Sequence, residues 1–367
     1  MPTILITSMG GAGSKNLVDT LRLFDTAGEY RVIGTHFDPY ELVKSDLPRE
    51  DLFIVPRAAE VADYVDAHAR IIAREGVDVL IANSDKEVAS LAPHLDRIAC
   101  RHLIPSGPMV DAVQDKLGLH TILARHGCPV VRNVPVQGMG HLAEAVQAVP
   151  KDAEGRFWIR LRQGAGSQGA TWMYTAGQAA KWIELWSELR GCKPEDFVLA
   201  PFLPGRDYCV ALLYQDGELS VGKAYERLRY LTGGISISGM GSTPSASRAV
   251  SDTLPIKVSA LAVEAVAREY GVAPHGYYQL DMKCDAAGQP YVTEINIGRF
   301  PMTSPQFDRV GRYNQFELYL KLLLNPEERL PRGVMDLDPG VVMLRSVDFP
   351  YVFTTDADLE RIAARQG

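Results

Sequence analysis

Apolar positions along the first third of the chain switch between two periods. Thr3–Thr7, Arg31–His36 and Val77–Ala82 read as short buried strands. The stretches from about Asn16 to Phe24 and from Val61 to Arg74 carry apolar residues at helical spacing. Strands alternating with helices imply a parallel, doubly wound sheet. From Met109 a helical pattern runs through Lys116 to Arg125, with Asp115 as its N-cap and Gly127 just past its end. The character then changes: strands Phe157–Arg162 and Ala170–Tyr174 flank a glycine-rich segment, and a helix follows around Lys181–Leu189, whose tryptophans are expected in the core. Two apolar strands, Phe197–Ala200 and Asp207–Tyr214, are separated by Pro201-Phe-Leu-Pro-Gly205, a natural hinge. Helices are expected over Leu261–Tyr270 and Asn314–Leu324, and an appended strand pair with a short helix over 331–367.

Tyr277 to Arg299 organises the chemistry. Two alternating runs, Tyr277–Cys284 and Tyr291–Ile297, flank the turn-forming Asp285-Ala-Ala-Gly288-Gln-Pro290 and predict a β-hairpin. If Cys284 faces Tyr291, Asp281 faces Glu294, and the period of two sets Asn296 on the same face. Like charges directly opposite destabilise a sheet. A bound cation removes that penalty, and three oxygen-bearing side chains suit Mg²⁺, with Mn²⁺ as an alternative; an acidic, solvated hairpin face is the competing reading.

Composition narrows the class. The 367 residues are 46% hydrophobic with a net charge of −7 and no basic block, so no nucleic-acid footprint and no membrane-surface patch is expected. No apolar run reaches the ~18 residues of a spanning helix, and the first residues lack a charged leader, so the expectation is a cytoplasmic protein. Cys100, Cys128, Cys192, Cys209 and Cys284 show no C-x-x-C spacing, which points to buried reduced thiols.

Other segments carry candidate chemistry. Gly10-Gly-Ala-Gly13 follows the first strand, and Asp38 lies near the end of the second, but Asn16 stands where a dinucleotide fingerprint needs glycine, so a tight turn is favoured. Gln163-Gly-Ala-Gly-Ser-Gln-Gly169 lacks the Lys-Ser/Thr of a P-loop and lies between strands; its backbone N–H groups can close over phosphates, with Arg160 supplying charge. Lys116 sits at the helix end where a cation is disfavoured, which an anionic ligand explains as well as solvation does. Arg227 and Arg229 precede the irregular Gly233-Gly-Ile-Ser236 and suit a carboxylate or phosphate.

The order of glycine hairpin, Pro/Gly hinge and acidic hairpin resembles the ATP-grasp ligases over most of the chain. The resemblance implies an α/β, doubly wound N-terminal domain over 1–110. Two α+β subdomains over 111–330 follow, one carrying the glycine loop (about 135–200) and one the metal site (about 201–330), then a C-terminal extension over 331–367. By the same resemblance, Lys116, Arg160, Gly164, Gly166, Ser167 and Gly169 meet ATP phosphates, Leu203 and Asp207 meet adenine and ribose, and Asp281, Glu294 and Asn296 hold magnesium. Arg299, with Arg227 and Arg229, is then catalytic. Ala200 departs from the pattern, since an acidic residue usually binds the adenine amino group there. The implied activity is an ATP-dependent, ADP-forming ligase joining a small carboxylic acid, such as an amino acid, to an amine. Alternatives are phosphorylation of bicarbonate or carbamate, as in carbamoyl-phosphate synthesis, and a nucleotide-binding regulator without turnover. Expected partners are small molecules, with a homodimer as the default assembly.

Overall fold

The structure, a computed structural model, describes residues 1–11, 13–164, 166–241, 243–300, 304–347 and 352–363, apart from the side chains of 352 and 361–363. Strands β1 (Thr3–Ile6), β2 (Arg31–His36), β3 (Leu52–Ile54) and β4 (Val79–Ile81) form a parallel sheet in the order β3-β2-β1-β4. Alternate residues along them go to opposite faces. Ile4, Ile6, Val32 and Val79 pack with Leu17, Val18 and Leu21 of helix Ser14–Phe24, whereas Leu5, Ile33 and Leu80 pack with Tyr64, Val65 and Ile71 of helix Val61–Glu75. Each such buried side chain contributes ~1.5–3 kcal/mol, enough to override weak local propensity. The glycine turn after β1 is tight and filled from within: the Gly10 N–H donates to Ser14 Oγ at 2.8 Å, and a Cβ on Gly10 (φ 83°) would lie 1.8 Å from the Glu41 carbonyl oxygen.

A second, antiparallel sheet contains β5 (Val134–Pro135), β6 (Phe157–Leu161), β7 (Thr171–Met173) and β8 (Phe197–Pro201), in the order β5-β8-β6-β7. Its core holds Phe157, Ile159, Phe197 and Leu199 against helix Ala176–Arg190. Trp182 and Trp186 are only partly buried there, at its edge, and not in the core proper as their spacing suggested.

The third sheet has eight strands. β9 (Asp207–Gln215), β10 (Glu218–Tyr230), β11 (Pro244–Ala249), β12 (Gly276–Cys284), β13 (Pro290–Ile297), β15 (Val341–Leu344) and β16 (Val352–Thr355) run in the order β13-β12-β9-β10-β11-β15-β16, and β14 (Val334–Met335) pairs with β10. The C-terminal strands thus continue this sheet and bury Val342 and Met343 within it. Leu280, Met282, Ile295 and Ile297 pack in the core with helix Thr253–Glu269, so Gln279, Asp281, Glu294 and Asn296 face the other way. Cys209 and Cys284 are buried, but Cys100, Cys128 and Cys192 are only half-buried, and all five are free thiols. Among the described residues, no helix is long and apolar enough to cross a membrane.

Candidate functional site

The second and third sheets enclose a cavity of about 410 Å³. One wall is the outward face of the β12–β13 hairpin. Asp281 pairs with Glu294 and Gln279 with Asn296, the register expected, but the turn does not follow the expected pattern: Cys284 faces Pro290, not Tyr291. A β-bulge at Thr293, unpaired between Val292 and Glu294, restores the phase. The Thr293 hydroxyl donates to the Asp281 carbonyl at 3.0 Å, and the Thr293 carbonyl accepts from Arg160 Nη1 at 3.1 Å. One extra residue therefore aligns the two carboxylates and anchors a cation from the facing sheet.

The carboxylates are not left to repel one another. Arg227 bridges Asp281, in direct contact with its Nη2, and Asp207, 3.3 Å from its Nη1. Burial opposes charge on Arg227, yet Asp281 and Asp207 hold its pKa well above the ordinary guanidinium value. Lys116 Nζ lies 3.6 Å from Glu294 and donates to the Gly164 carbonyl at 2.9 Å. Glu294 keeps 27% of its side chain open to the cavity. Its enclosure pushes the carboxyl pKa up, Lys116 counters part of this, and the Asp281 charge adds to the rise. Two basic side chains, Arg227 and Lys116, thus already offset the Asp281–Glu294 repulsion that the sequence reading assigned to a bound cation.

Lys116 is held by its helix start. Asp115 accepts from the Leu117 N–H at 3.0 Å and pairs with Arg162, and the Lys116 N–H donates to the Arg162 carbonyl at 2.9 Å. The helix is thereby tied to the strand entering the glycine loop. In that loop Gly164 (φ 118°), Gly166 (φ 75°) and Ser167 (φ 58°) take left-handed conformations and stand exposed at the cavity rim, while Trp182 Nε1 donates to the Gly169 carbonyl at 3.1 Å. A Cβ at Gly164 or Gly166 would meet nothing within 4 Å, so backbone conformation and not space selects glycine there. Arg160 is 8% exposed, and burial lowers its pKa to about 10 against the opposing pull of Glu294.

Leu203 and Asp207 line the cavity beyond the hinge, with Ala200, Pro201 and Phe202. Asp207 also accepts from the Tyr230 hydroxyl and lies 3.5 Å from Lys283 Nζ. Arg299 is 8% exposed and closes the inner end: its Nη2 donates to Asn296 Oδ1 and its Nε to Asp85 Oδ1 at 2.6 Å. Gly298 (φ 69°) makes this possible, since a Cβ there would stand 2.8 Å from Pro105 Cδ. Arg229 is not brought to the site. A bulge at Leu228 breaks the alternation of β10, leaving Arg229 exposed and outside the cavity lining while Arg227 points in.

Asp85, Tyr230, Gln279 and His120 escape a sequence reading. Asp85 opens a helix 214 positions from Arg299, and nothing local marks it. His120 had a signal: it lies four residues after Lys116, on the same helix face. Among the described residues no three His, Cys, Asp or Glu side chains cluster as metal ligands. The two carboxylates and the Asn296 amide oxygen are nevertheless an all-oxygen set on one rigid surface, with Arg227 and Lys116 standing in for positive charge, and this set fits Mg²⁺.

No protein-family model matches the sequence, and no curated protein matches it either. Solved structures do. N5-carboxyaminoimidazole synthetase from Staphylococcus aureus superposes with a TM-score of 0.68 at 13% identity, over 99% of this chain and 96% of that one. The biotin carboxylase domain of Hydrogenobacter thermophilus 2-oxoglutarate carboxylase, a dimer with MgADP, ADP and bicarbonate, gives 0.69 at 10% identity over 94% of this chain and 74% of that one. L-amino acid ligase from Bacillus licheniformis gives 0.64 at 11% identity, over 94% and 79%. At such identities the likeness is one of fold.

Proposed function

We infer that this chain is an ATP-dependent ligase of the ATP-grasp kind that activates a small carboxylic acid as its acyl phosphate and couples it to an amine, releasing ADP and phosphate. The observation that carries this reading is one cavity walled by a glycine loop on one side and by the Asp281–Glu294–Asn296 face on the other, with Lys116 and Arg160 between them. Asp281, Glu294 and Asn296 would hold Mg²⁺, which would supply positive charge to neutralise the transferred phosphate. Lys116 and Arg160 offset the remaining phosphate charge, and the glycine loop covers the phosphates and excludes water. Leu203 and Asp207 contact base and ribose.

A carboxylate oxygen of the acid attacks the γ-phosphorus, the bond to the β-phosphate oxygen breaks, and ADP leaves. The amine then attacks the acyl carbon, phosphate departs with the bonding pair, and the amine proton passes to solvent or phosphate. Arg299 orients the carboxylate and stabilises the oxyanion at the acyl carbon through a planar fork that Asp85 holds in place. Arg227 is the second candidate for that anion, once nucleotide and metal engage Asp281.

Pairs of amino acids and small acids, bicarbonate included, screened with amines for ADP release identify the substrates. A carboxylate labelled with ¹⁸O then tests the chemistry: one label is expected in the phosphate released, and AMP with pyrophosphate as products would contradict the mechanism.

A further inference from the structure

Helix Ala176–Arg190 carries two apolar faces where a surface helix needs one. Ala179 and Ile183 are buried against the second sheet, so the first face belongs to the core there. Trp182, Leu185, Trp186 and Leu189 recur at i, i+3, i+4 and i+7 and form a second stripe beside it. The tryptophans rest partly buried at the core's edge, their ring centroids 6.1 Å apart. The leucines face out: Leu185 is 45% exposed and Leu189 71%. An exposed apolar stripe rimmed by charge marks an interaction surface.

The charges along the stripe say what covers it. Lys181 and Glu188 flank it on one side; both are exposed, and neither has an ion-pair partner among the described residues. Seven residues separate them, about 10 Å along the axis, so they do not pair with each other. When a two-fold axis relates two antiparallel helices, the same flank of each helix meets the other. An axis through the middle of the stripe sets Trp182 against Leu189 of the second copy and Leu185 against its Trp186. It also brings Lys181 alongside Glu188 of the second copy, twice over by symmetry. A parallel pair instead turns this flank toward the side where the helix meets its own sheet, and leaves both charges unmatched.

We propose that a second copy of this chain docks antiparallel on helix Ala176–Arg190, through the Trp182–Leu185–Trp186–Leu189 stripe and two reciprocal Lys181–Glu188 pairs. Trp182 also donates to the Gly169 carbonyl at 3.1 Å, so the dimer joins two copies of the subdomain that carries the glycine loop. One helix pair is small beside a permanent interface, which sets the affinity in the micromolar range. The proposal stands apart from the ligase reading, whose substrates it does not involve.

Sedimentation equilibrium of the intact protein, from about 1 to 200 μM, is the test. The wild type should show a monomer–dimer equilibrium, and Leu189→Glu should be monomeric throughout. Lys181→Glu and Glu188→Lys should each weaken the dimer at least about tenfold by opposing like charges. An equimolar mixture of these two variants should recover wild-type association, because the mixed pair restores both ion pairs. A wild type that stays monomeric at the highest concentration overturns the proposal, as does a dimer that Leu189→Glu leaves intact or association that runs on past two copies. Weakened single variants with no recovery in the mixture overturn the antiparallel register and the proposal with it. Thermal melting checks folding; if Leu189→Glu does not fold, the two exposed charge variants decide alone.

Discussion

Strand β10 carries two cations four residues apart, Lys223 fully buried and Arg227 half-buried, and they differ in what surrounds them. Lys223 is fully buried: its Nζ contacts Asp308, lies 3.4 Å from Asp336 and donates to the Tyr313 carbonyl at 2.8 Å. A Cβ on Gly311 would lie 2.7 Å from that ammonium, so the cluster is closed by backbone as well as charge. Arg227 sits between Asp207 and Asp281, but its neighbours border an open cavity, and its Nε has no partner. The first arrangement clamps β10 to the segments carrying Asp308 and Asp336. The second is a set of charges that a ligand can rearrange. Buried ion pairs are by themselves weak evidence of function, and access together with unsatisfied atoms separates the two.

That contrast can be broken by mutation. The largest effect is expected from Asp281→Asn and Glu294→Gln, each of which should lower turnover at least about a hundredfold if these carboxylates hold the proposed metal. Asp281→Asn should also lower the melting temperature of the ligand-free protein, because Arg227 loses one of its two carboxylates. Unimpaired turnover with a large loss of stability would make the pair structural. Lys223→Met should do the reverse, costing about 3–5 kcal/mol in chemical denaturation by leaving buried Asp308 without its cation while Asp336 keeps Arg312 and two backbone N–H groups, and the fraction that folds keeps its kcat. A stable but inactive Lys223→Met would erase the distinction.

Arg299→Lys should lower kcat and kcat/KM for the acid by a similar factor, about tenfold, with little change in nucleotide affinity, since a lysine cannot reproduce the guanidinium fork. Weakened ATP binding with intact kcat would remove it from the acyl phosphate. The smallest effect concerns pH. His120 has a pKa lowered to about 3 in the folded protein, against an ordinary value near 6.5, so the unfolded chain binds its proton first. Its contribution to stability is present above pH ~6.5 and is lost as pH falls toward 3. Denaturation at pH 7.5 and pH 5 should show a shallower acid loss in His120→Phe than in the wild type; identical slopes would mean the ring is not held neutral.

Much of this site was legible locally. The alternation of Asp281, Glu294 and Asn296 with apolar residues set them on one face, because a strand's period of two is a property of the backbone. Their register came out as expected only because the bulge at Thr293 offsets a turn one residue different from the one assumed. The same kind of irregularity misled for Arg229, where the bulge at Leu228 turns the side chain out. Bulges depend on both strands of a pair, and one strand's sequence does not announce them. Nor does it announce Asp85 gripping Arg299 across two sheets, or which of Lys223 and Arg227 meets open space. These follow from tertiary packing, as does the burial that neutralises His120.

The Asp281–Glu294–Asn296 face is proposed to hold a divalent cation together with a nucleoside triphosphate. Titration of the intact protein with Mn²⁺, followed by loss of the free-ion paramagnetic resonance signal with and without ATP, tests it directly. Wild-type protein should take up Mn²⁺ tightly only in the presence of ATP, and Asp281→Asn and Glu294→Gln should both lose that uptake, with folding retained by circular dichroism. ATP-dependent uptake undiminished in both variants would contradict it.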